Sequence, residues 1–163
     1  AASDVYKRQV ENREASDRFF LLSGDWKFRY FTSVYDVKEE FFTEGYDTSA
    51  FETIPVPSVW QNYGHDHHQY TNVRYPFPVD PPYVPYENPC GAYVRTFEWK
   101  KQEEAPRAFL NFEGVDSCFY VWMNGSFVGY SQVSHATAEF DVTEFMRDGK
   151  NRLAVLVLSL IHI

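Results

Sequence analysis

The 163-residue sequence has few cysteines. Cys90 and Cys118 are the only two, and their positions predict a loop edge for Cys90 and a buried strand for Cys118. Two thiols placed in this way form neither the disulfide framework of a small secreted domain nor a zinc site. We therefore expect two unpaired thiols, which leave the redox compartment open.

Long apolar runs are also scarce. The opening residues, AASDVYKRQV, lack the apolar segment of a secretory signal peptide. The longest apolar stretch, LAVLVLSLIHI, has about half the length that a membrane-spanning helix needs. We therefore expect no membrane partner, and we favour a cytoplasmic over a periplasmic protein.

Clusters of positive charge are missing as well. The chain has 15 Lys and Arg residues against 23 Asp and Glu residues, which gives a formal net charge of −8. No run of Lys or Arg interrupts this acidic surface, so it repels a phosphate backbone. Nucleic acid is excluded as an expected partner.

Familiar catalytic motifs are not found either. The sequence has no Gly-rich phosphate loop and no G-x-S-x-G turn. The segment GHDHHQY, with His65, Asp66, His67 and His68, suggests a metal site, but contiguous loop ligands are rarely preorganised, so we favour a loop without metal. The scattered carboxylates are interpreted as solvated surface groups, among them Glu39, Glu40, Glu44, Asp80 and Glu87.

What the sequence does contain is a series of short β-like segments. In DWKFRYF, Trp26, Phe28 and Tyr30 alternate with other residues, which is the two-residue period of a half-buried strand. RAFLNFEG repeats this pattern, and LAVLVL (153–158) is apolar throughout, as expected of an inner strand. With 44% apolar residues over 163 positions, we predict one all-β domain built as an antiparallel sandwich or barrel.

The strongest local signal is the hairpin in CFYVWMNGSFVGYS. Asn124 and Gly125 supply the positive φ angles of a type I′ turn. A two-residue turn predicts that the facing pairs are Met123 with Ser126, Trp122 with Phe127, Tyr120 with Gly129, and Phe119 with Tyr130. Because both faces are apolar, we expect the hairpin between other layers. NGS is also a glycosylation triplet, but the turn already accounts for Asn124.

Helix is expected to be sparse, with at most one or two short helices. One is predicted over residues 34–42, with Ser33 as its N-cap and Gly45 beyond its end. TEFM (143–146) predicts one further helical turn before the turn DGKN (148–151).

The segment YTNVRYPFPVDPPYVPYENPCG (70–91) holds six of the nine prolines. Each proline fixes its own φ angle and favours an extended residue before it, so the segment is stiff in advance of folding. A long irregular segment of this kind usually has a function, such as docking on another surface. It also suits the protection of an edge strand of the same domain, and the two interpretations are compatible.

Several segments together resemble a known family. The segments LSGDWKFRYF, VPSVWQNYG, YTNVRYPFPVDPPYVPYENPCGAY, FEGVDSCFYVWMNGSFVGYSQ and EFDVTEFMRDGKNRLAVLVL are similar to the amino-terminal domain of glycoside hydrolase family 2 β-galactosidases of the bacterial lactose-cleaving type. The resemblance implies a jelly-roll β-sandwich, often called the sugar-binding domain. It covers residues 11–158, so we expect residues 1–10 and 159–163 to be tails foreign to the family.

The resemblance also implies a role for the proline-rich segment. In similar enzymes the Asn of the YTN block reaches into the galactose pocket of the adjoining barrel domain, with the next Val nearby. Asn72 and Val73 are therefore the expected substrate-binding residues, in the context of the full enzyme and its β-galactoside substrate. Without the resemblance, Asn72 is better interpreted as a turn residue bonded to its own backbone.

Catalysis itself is expected elsewhere. The resemblance implies that both catalytic carboxylates lie on the barrel and that the acid/base glutamate follows an asparagine, but no asparagine of this chain is followed by glutamate. We expect no catalytic residue and no cofactor in this chain, which should be inactive alone. The family implies Mg²⁺ and Na⁺ or K⁺ at sites outside it, barrel and other domains as partners, and a homo-oligomeric parent.

Three alternatives remain at this point. A freestanding carbohydrate-binding module would hold sugar on exposed tyrosines such as Tyr70, Tyr75, Tyr83 or Tyr86. A purely architectural domain would use the proline-rich segment to hold neighbouring domains or subunits together. The equivalent domain of a β-glucuronidase would share the sandwich, although such enzymes lack the sequence YTNVRYPFPVDPPYVP.

Overall fold

The computed structural model describes residues 16–66, 83, 86–134 and 136–158. Eight strands account for the regular structure of these residues: β1 Gly24–Phe31, β2 Glu52–Val56, β3 Cys90–Trp99, β4 Phe109–Phe112, β5 Cys118–Met123, β6 Ser126–Ser131, β7 Ala138–Asp141 and β8 Gly149–Leu158. Two short 3₁₀ helices, Val34–Asp36 and Trp60–Tyr63, are the only helices in the described part. The prediction of an all-β domain with at most two short helices is confirmed.

The strands form two sheets. Six of them make an antiparallel sheet in the order β2-β1-β3-β8-β5-β6, and β4 pairs with β7 in a small second sheet. β3 and β8 are the longest strands and pair over ten residues, from Cys90 with Leu158 to Trp99 with Gly149. The predicted inner strand is therefore confirmed, because β8 lies between β3 and β5.

The central strands are buried on both faces, as the apolar run in β8 predicts. Alternate residues of a strand point to opposite faces, and in β8 the odd residues Leu153, Val155 and Val157 belong to one core while Ala154, Leu156 and Leu158 belong to the other. Each large side chain buried in this way contributes about 1.5–3 kcal/mol to stability.

The small sheet covers the first core. Phe112 of β4 packs against Phe119 of β5 with ring centroids 4.7 Å apart, and Phe140 of β7 lies 6.1 Å from Phe119. The Phe140 ring also lies directly over Gly129 of β6, where a Cβ atom would come within 2.6 Å of it. Two sheets packed face to face through such contacts make the predicted jelly-roll β-sandwich.

The second core is covered by the irregular segment 32–51. Phe41 and Phe51 are buried in it, and Phe42 stacks on Trp122 of β5 with ring centroids 4.9 Å apart. The helix predicted for residues 34–42 is wrong in extent, because it stops after one turn at Asp36. Ser33 does cap it, by accepting a hydrogen bond from the Tyr35 backbone N–H. The aromatic residues of the segment are then held by packing rather than by helical bonds.

The β5–β6 hairpin has the predicted turn but not the predicted register. Asn124 and Gly125 have φ angles of 52° and 81°, as a type I′ turn requires. Met123 faces Ser126 and Trp122 faces Phe127, as predicted. A bulge then shifts the register, so that the remaining pairs are Val121 with Gly129, Tyr120 with Tyr130 and Phe119 with Ser131. The predicted pairs of Tyr120 with Gly129 and of Phe119 with Tyr130 are therefore wrong.

The bulge follows from the position of the hairpin at the edge of the sheet. β5 has a neighbour on each side, but β6 has only β5 as a neighbour. Phe127 and Tyr130 of β6 are exposed, so the expectation that the hairpin lies between other layers is wrong for this strand. An extra residue in an edge strand twists it and breaks its pairing surface. Hairpin turn chemistry predicts pairing near the turn and cannot predict a bulge further along the strands.

Two asparagines connect the hairpin turn to the β7–β8 connection. The Asn124 amide nitrogen donates to the Phe145 carbonyl and to Oδ1 of Asn151, each at 2.8 Å, and its Oδ1 accepts from the Arg152 backbone N–H. Because the Asn124 amide is fully used, the structural account of this residue is supported over glycosylation. We call this end of the sheet, marked by Trp99, Met123 and Gly149, the asparagine end.

Asn151 completes this network. It is 0% exposed. Its Oδ1 also accepts from the Arg147 backbone N–H, and its amide nitrogen donates to the carbonyls of Arg147 and Gly149 at 2.7 and 2.9 Å. The predicted helical turn at residues 143–146 is a single turn closed by hydrogen bonds from the Phe145 and Met146 N–H groups to the Val142 carbonyl.

The opposite end of the sheet we call the loop end. There β1 stops at Phe31, β3 begins at Cys90, β5 begins at Cys118 and β8 stops at Leu158. The two cysteines are free and buried, as predicted for unpaired thiols, and Cys90 is the first residue of β3, at the boundary between strand and loop. Burial raises the pKa of the Cys90 thiol to about 12, so neither a thiolate nor its chemistry is expected there.

Candidate functional site

The base of the proline-rich segment lies at the loop end of the sheet. The predicted site residues Asn72 and Val73 are outside the described residues, as are His67, His68 and Asp80. The structure does describe residues 60–66, which precede this segment, and residues 86–91, which are its last six residues. We call them the first and the second flank.

The first flank is anchored by aromatic packing. Trp60 opens the second 3₁₀ helix, is almost fully buried, and stacks on Phe28 with ring centroids 6.0 Å apart. Gly64 ends this helix with a φ angle of 86°. The chain then places the His65 ring parallel to Tyr30 at 5.3 Å and edge-on to Phe28 at 5.4 Å.

His65 also has a charged partner. Its Nε2 lies 3.1 Å from Oε2 of Glu52 on β2. Burial, and secondly the charge of Asp66, raise the pKa of the Tyr30 phenol beneath the imidazole. In the described part of the chain no three His, Cys, Asp or Glu residues are grouped to hold a metal ion. The ring contacts with Tyr30 and Phe28 and the Glu52 partner anchor His65, and with it the first flank.

The second flank is anchored through Asn88. Its backbone carbonyl accepts a hydrogen bond from the Val34 N–H, which ties the flank to the first 3₁₀ helix, and its backbone N–H donates to the Tyr86 carbonyl. The Asn88 side chain is only 3% exposed, and its Oδ1 has no hydrogen-bond partner among the described residues.

A glycine brings the two flanks together. A Cβ atom on Gly91 would lie 2.6 Å from the Phe28 ring and 2.8 Å from the Trp60 ring. Real Cβ atoms do not approach that closely, so only glycine lets Trp60 pack across the start of β3. The two described flanks, residues 60–66 and 86–91, are thus fixed at one place.

Sequence reasoning missed this aromatic base. The alternation of Phe28 and Tyr30 predicted an inward face, but nothing local in VPSVWQNYG predicted that Trp60 would cover it. The one available signal was Gly91 at the start of a strand, because glycine inside a strand often marks a close approach of another group.

A second feature is a shallow recess of about 320 Å³ on the small sheet, lined by Arg107, Asp141, Thr143, Glu144 and Phe145. Arg107 donates to Asp141 at 2.7 Å, and the Thr143 backbone N–H and hydroxyl also donate to that carboxylate. These hydrogen bonds lower the pKa of Asp141 to about 2. A general acid needs the opposite shift, so Asp141 is not suited to be the acid of a glycoside cleavage.

Other carboxylates are engaged at the surface. Glu39 pairs with Arg29 at 3.1 Å, and Glu44 pairs with Arg147. Both agree with the interpretation of these groups as solvated surface charges. The described residues also include no helix long and apolar enough to span a membrane.

Comparisons with known proteins agree with the fold. The family described as glycosyl hydrolases family 2, sugar binding domain, matches residues 19–161. Curated relatives include a β-galactosidase of Actinobacillus pleuropneumoniae, 52% identical over 147 residues and 90% of this chain, and one of Staphylococcus xylosus, 47% identical over 91% of it. The chain spans 14% of the length of each of these relatives.

Solved structures share the architecture at lower identity. A β-glucuronidase from an uncultured Clostridium species superposes with a TM-score of 0.62 at 24% identity, over 86% of this chain and 22% of that one. One from Lactobacillus rhamnosus gives a TM-score of 0.64 at 19% identity, over 86% and 21%. At such identities the likeness is one of fold. With the family match over most of the sequence, this chain belongs to the sugar-binding domain family of the family 2 glycosyl hydrolases.

Proposed function

We propose that this chain is the non-catalytic amino-terminal domain of a β-galactosidase that removes terminal β-galactose residues with retention. The observation that carries the proposal is the 52% and 47% identity to β-galactosidases over about nine-tenths of the chain. The likeness to β-glucuronidases is confined to the fold, at 17–24% identity, and so it does not favour glucuronate.

The domain's own part is that of a scaffold. Retaining cleavage needs an acid/base and a nucleophile carboxyl about 5–5.5 Å apart. In this chain Asp141, Glu39 and Glu44 are committed to arginine partners. The catalytic pair, the Mg²⁺ and Na⁺ or K⁺ ions, and the contacts of a cytoplasmic homo-oligomer are assigned by this proposal to the rest of the polypeptide.

Asn72 is the domain's proposed contribution to the substrate pocket, with Val73 beside it. An amide offers a donor and an acceptor in one plane, which suits neighbouring sugar hydroxyls. The fixed flanks support this role, because Trp60 packed over Gly91 holds residues 60–66 and 86–91 at one place. One such neutral hydrogen bond is worth about 0.5–1.5 kcal/mol, so Asn72 tunes turnover without creating it.

The test is Asn72→Ala in the full-length enzyme. We expect kcat/KM for a chromogenic β-galactoside to fall about tenfold. Asn111→Ala, an exposed asparagine on β4, is the matched control and should leave kcat/KM unchanged. Equal kcat/KM for both variants would make the domain purely architectural.

The isolated chain provides a second test. It should not hydrolyse the chromogenic galactoside, and it should bind free galactose only weakly, because it contributes a single amide to a shared pocket. Turnover that a carboxylate substitution in this chain abolishes would contradict the proposal. Micromolar binding of galactose or lactose in calorimetry would instead favour a freestanding carbohydrate-binding module.

A further inference from the structure

The recess on the small sheet is framed by segments that hydrogen bonds tie together. The backbone N–H of Ala108 donates to the Thr143 hydroxyl at 3.0 Å, and the Val142 N–H donates to the Ala108 carbonyl at 2.9 Å. The Phe145 carbonyl accepts a hydrogen bond from the Asn124 amide at 2.8 Å. The walls of the recess are therefore fixed by bonds from three parts of the chain.

Arg107 contributes a guanidinium group whose orientation is already set. Its Nη2 donates to Oδ2 of Asp141 at 2.7 Å, and its guanidinium carbon lies 4.7 Å from the centroid of the Phe109 ring. The side chain is nevertheless 65% exposed. A guanidinium group carries five N–H donors, and the bond to Asp141 uses one of them. Arg107 is therefore a preorganised hydrogen-bond donor at the edge of the recess.

The recess also offers an acceptor and an apolar surface. The exposed residue Glu144 and the half-buried Phe145 line it together with Arg107. A carboxylate accepts hydrogen bonds from hydroxyl groups, and an aromatic ring gives the C–H groups of a sugar ring an apolar surface to pack against. A donor, an acceptor and an aromatic ring around one recess suit a compact ligand that carries several hydroxyl groups.

The size and charge of the recess narrow the ligand further. Its volume of about 320 Å³ lies at the low end of the range for ligand pockets, about 300–1,000 Å³, so it suits a single sugar ring. Arg107 and Thr143 lower the pKa of Asp141 to about 2, so this carboxylate is charged at neutral pH. With Glu144 as a second carboxylate and Arg107 already paired, the recess is negative and disfavours an acidic sugar.

We propose that this recess is a binding site for a neutral hexopyranoside, with Arg107 as donor, Glu144 as acceptor and Phe145 as the apolar surface. The proposal goes beyond the proposed function, which gives the domain only Asn72 and Val73 as sugar contacts, and it rests on that function only for the choice of a galactoside as the probe. Because the recess is shallow and the ligand small, we expect a dissociation constant on the order of a few millimolar. Binding of that strength agrees with the weak galactose binding expected of the isolated chain.

Titration of the 163-residue chain with methyl β-galactoside, followed by two-dimensional amide NMR, tests the proposal. The amide signals of residues 107–108 and 142–145 should shift and saturate with a dissociation constant on the order of a few millimolar. Methyl β-glucuronide should bind about tenfold more weakly or not at all, because its carboxylate meets a negative recess. Glycerol, which carries hydroxyl groups but no ring, should give no saturable shift.

Two variants and a matched control make the result specific. Glu144→Ala removes the acceptor and should weaken methyl β-galactoside binding about tenfold, as expected for a hydrogen bond to a charged group. Arg107→Gln removes the guanidinium and should abolish the saturable shifts. The control is Arg29→Gln, because Arg29 also pairs with a carboxylate, that of Glu39 at 3.1 Å, and lies 5.2 Å from the centroid of the Phe31 ring. This control should bind like the parent chain. Amide signals outside the recess that match the parent chain show that each variant is folded.

The proposal is overturned by an absence of saturable shifts at residues 142–145 up to about 50 mM methyl β-galactoside, or by shifts confined to the two flanks. Equal binding of glycerol or of methyl β-glucuronide would also overturn it, as would binding that both Glu144→Ala and Arg107→Gln leave unchanged. The proposed function is tested separately by the kinetics of Asn72→Ala. An empty recess therefore leaves that function standing, and a recess that binds sugar in an enzyme that does not cleave galactosides refutes the proposed function alone.

Discussion

At the asparagine end of the central sheet, the side chains of Asn124 and Asn151 use their polar atoms on each other and on the adjoining backbone. At the loop end, the indole N–H of Trp60 and Oδ1 of Asn88 are buried with no hydrogen-bond partner among the described residues, and two stacked tyrosines face solvent. The exception at the first end is Nε of Arg152, although its Nη2 donates to the Phe41 carbonyl at 3.2 Å.

This difference distinguishes the end of the sheet that is stabilised by its own residues from the end that is suited to contact other polypeptide. A buried polar group without a partner costs about 1–3 kcal/mol, so a domain that folds alone is expected to avoid such groups. Apart from Nε of Arg152, the asparagine end meets that requirement from its own residues. The loop end carries unsatisfied atoms, exposed aromatic rings and the base of the proline-rich segment, and all three suit an end that is completed by neighbouring polypeptide.

The largest effect is expected from Asn151→Ala, which breaks the asparagine end. The substitution removes four hydrogen bonds and leaves the Arg147 N–H and the Arg147 and Gly149 carbonyls without their partner. At about 1 kcal/mol per bond, we expect the free energy of unfolding in urea to fall by about 4 kcal/mol. Asn111→Ala, on an exposed position, should change it by less than about 0.5 kcal/mol. A loss below about 1 kcal/mol for Asn151→Ala would show that the network is redundant.

Gly91→Ala is the corresponding change at the loop end. The new methyl group would press on the rings of Phe28 and Trp60, and overpacking of this kind costs about 1–3 kcal/mol. We expect a loss of about 2 kcal/mol in urea unfolding, with a change in the near-UV circular dichroism of Trp60. The control is Gly114→Ala, where nothing lies within 4 Å of the added Cβ. Similar losses for both variants would contradict the close approach of Trp60.

The sequence predicted the asparagine end better than the loop end. Asn124-Gly125 has one well-populated structure between two apolar runs, and the unbroken apolar pattern of residues 153–158 requires cover on both faces, so the turn and the inner strand were predicted from local chemistry. The helix over residues 34–42 was wrong because Phe41 and Phe42 bury themselves against β5, and this tertiary packing outweighs a weak helical period.

The candidate site is predictable only in part for the same reason. Proline spacing predicts a stiff segment, but the cluster of Phe28, Trp60 and His65 at its base joins residues far apart in the sequence. No local pattern encodes such a contact. The assignment of Asn72 and Val73 comes from family resemblance and stays a prediction.

A smaller effect is expected from Ser33→Ala, which weakens the first 3₁₀ helix at the loop end. Ser33 is fully buried, and its hydroxyl accepts the Tyr35 backbone N–H at 3.3 Å. Loss of an N-cap costs about 1 kcal/mol, and we expect that loss in urea unfolding. Ser126→Ala, at an exposed position on β6, is the control. If Ser33→Ala were neutral and exchange at residues 34–36 unchanged, the cap would not hold Tyr35 in place.

The smallest effect on stability is expected from the exposed ion pair on the small sheet. This pair lies at neither end of the central sheet, so it gives a reference for the effects at both. Arg107 and Thr143 lower the pKa of Asp141 from 3.8 to about 2. A lowered folded-state pKa means that the carboxylate stabilises the fold above pH 3.8 and loses this contribution as the pH falls through about 2. We therefore expect Asp141→Asn to lower the urea midpoint slightly at pH 7.

The difference between Asp141→Asn and the parent chain should shrink between pH 4 and pH 2 and vanish below it. Arg107→Gln should reproduce the effect, and the double variant should add nothing, because both single changes remove the same pair. Glu144→Gln alters an exposed neighbouring carboxylate in the same recess and should leave the midpoint at pH 7 unchanged. A difference for Asp141→Asn that stays constant from pH 7 to pH 2 would mean that the Thr143 hydrogen bonds, which an asparagine can keep, matter more than the charge.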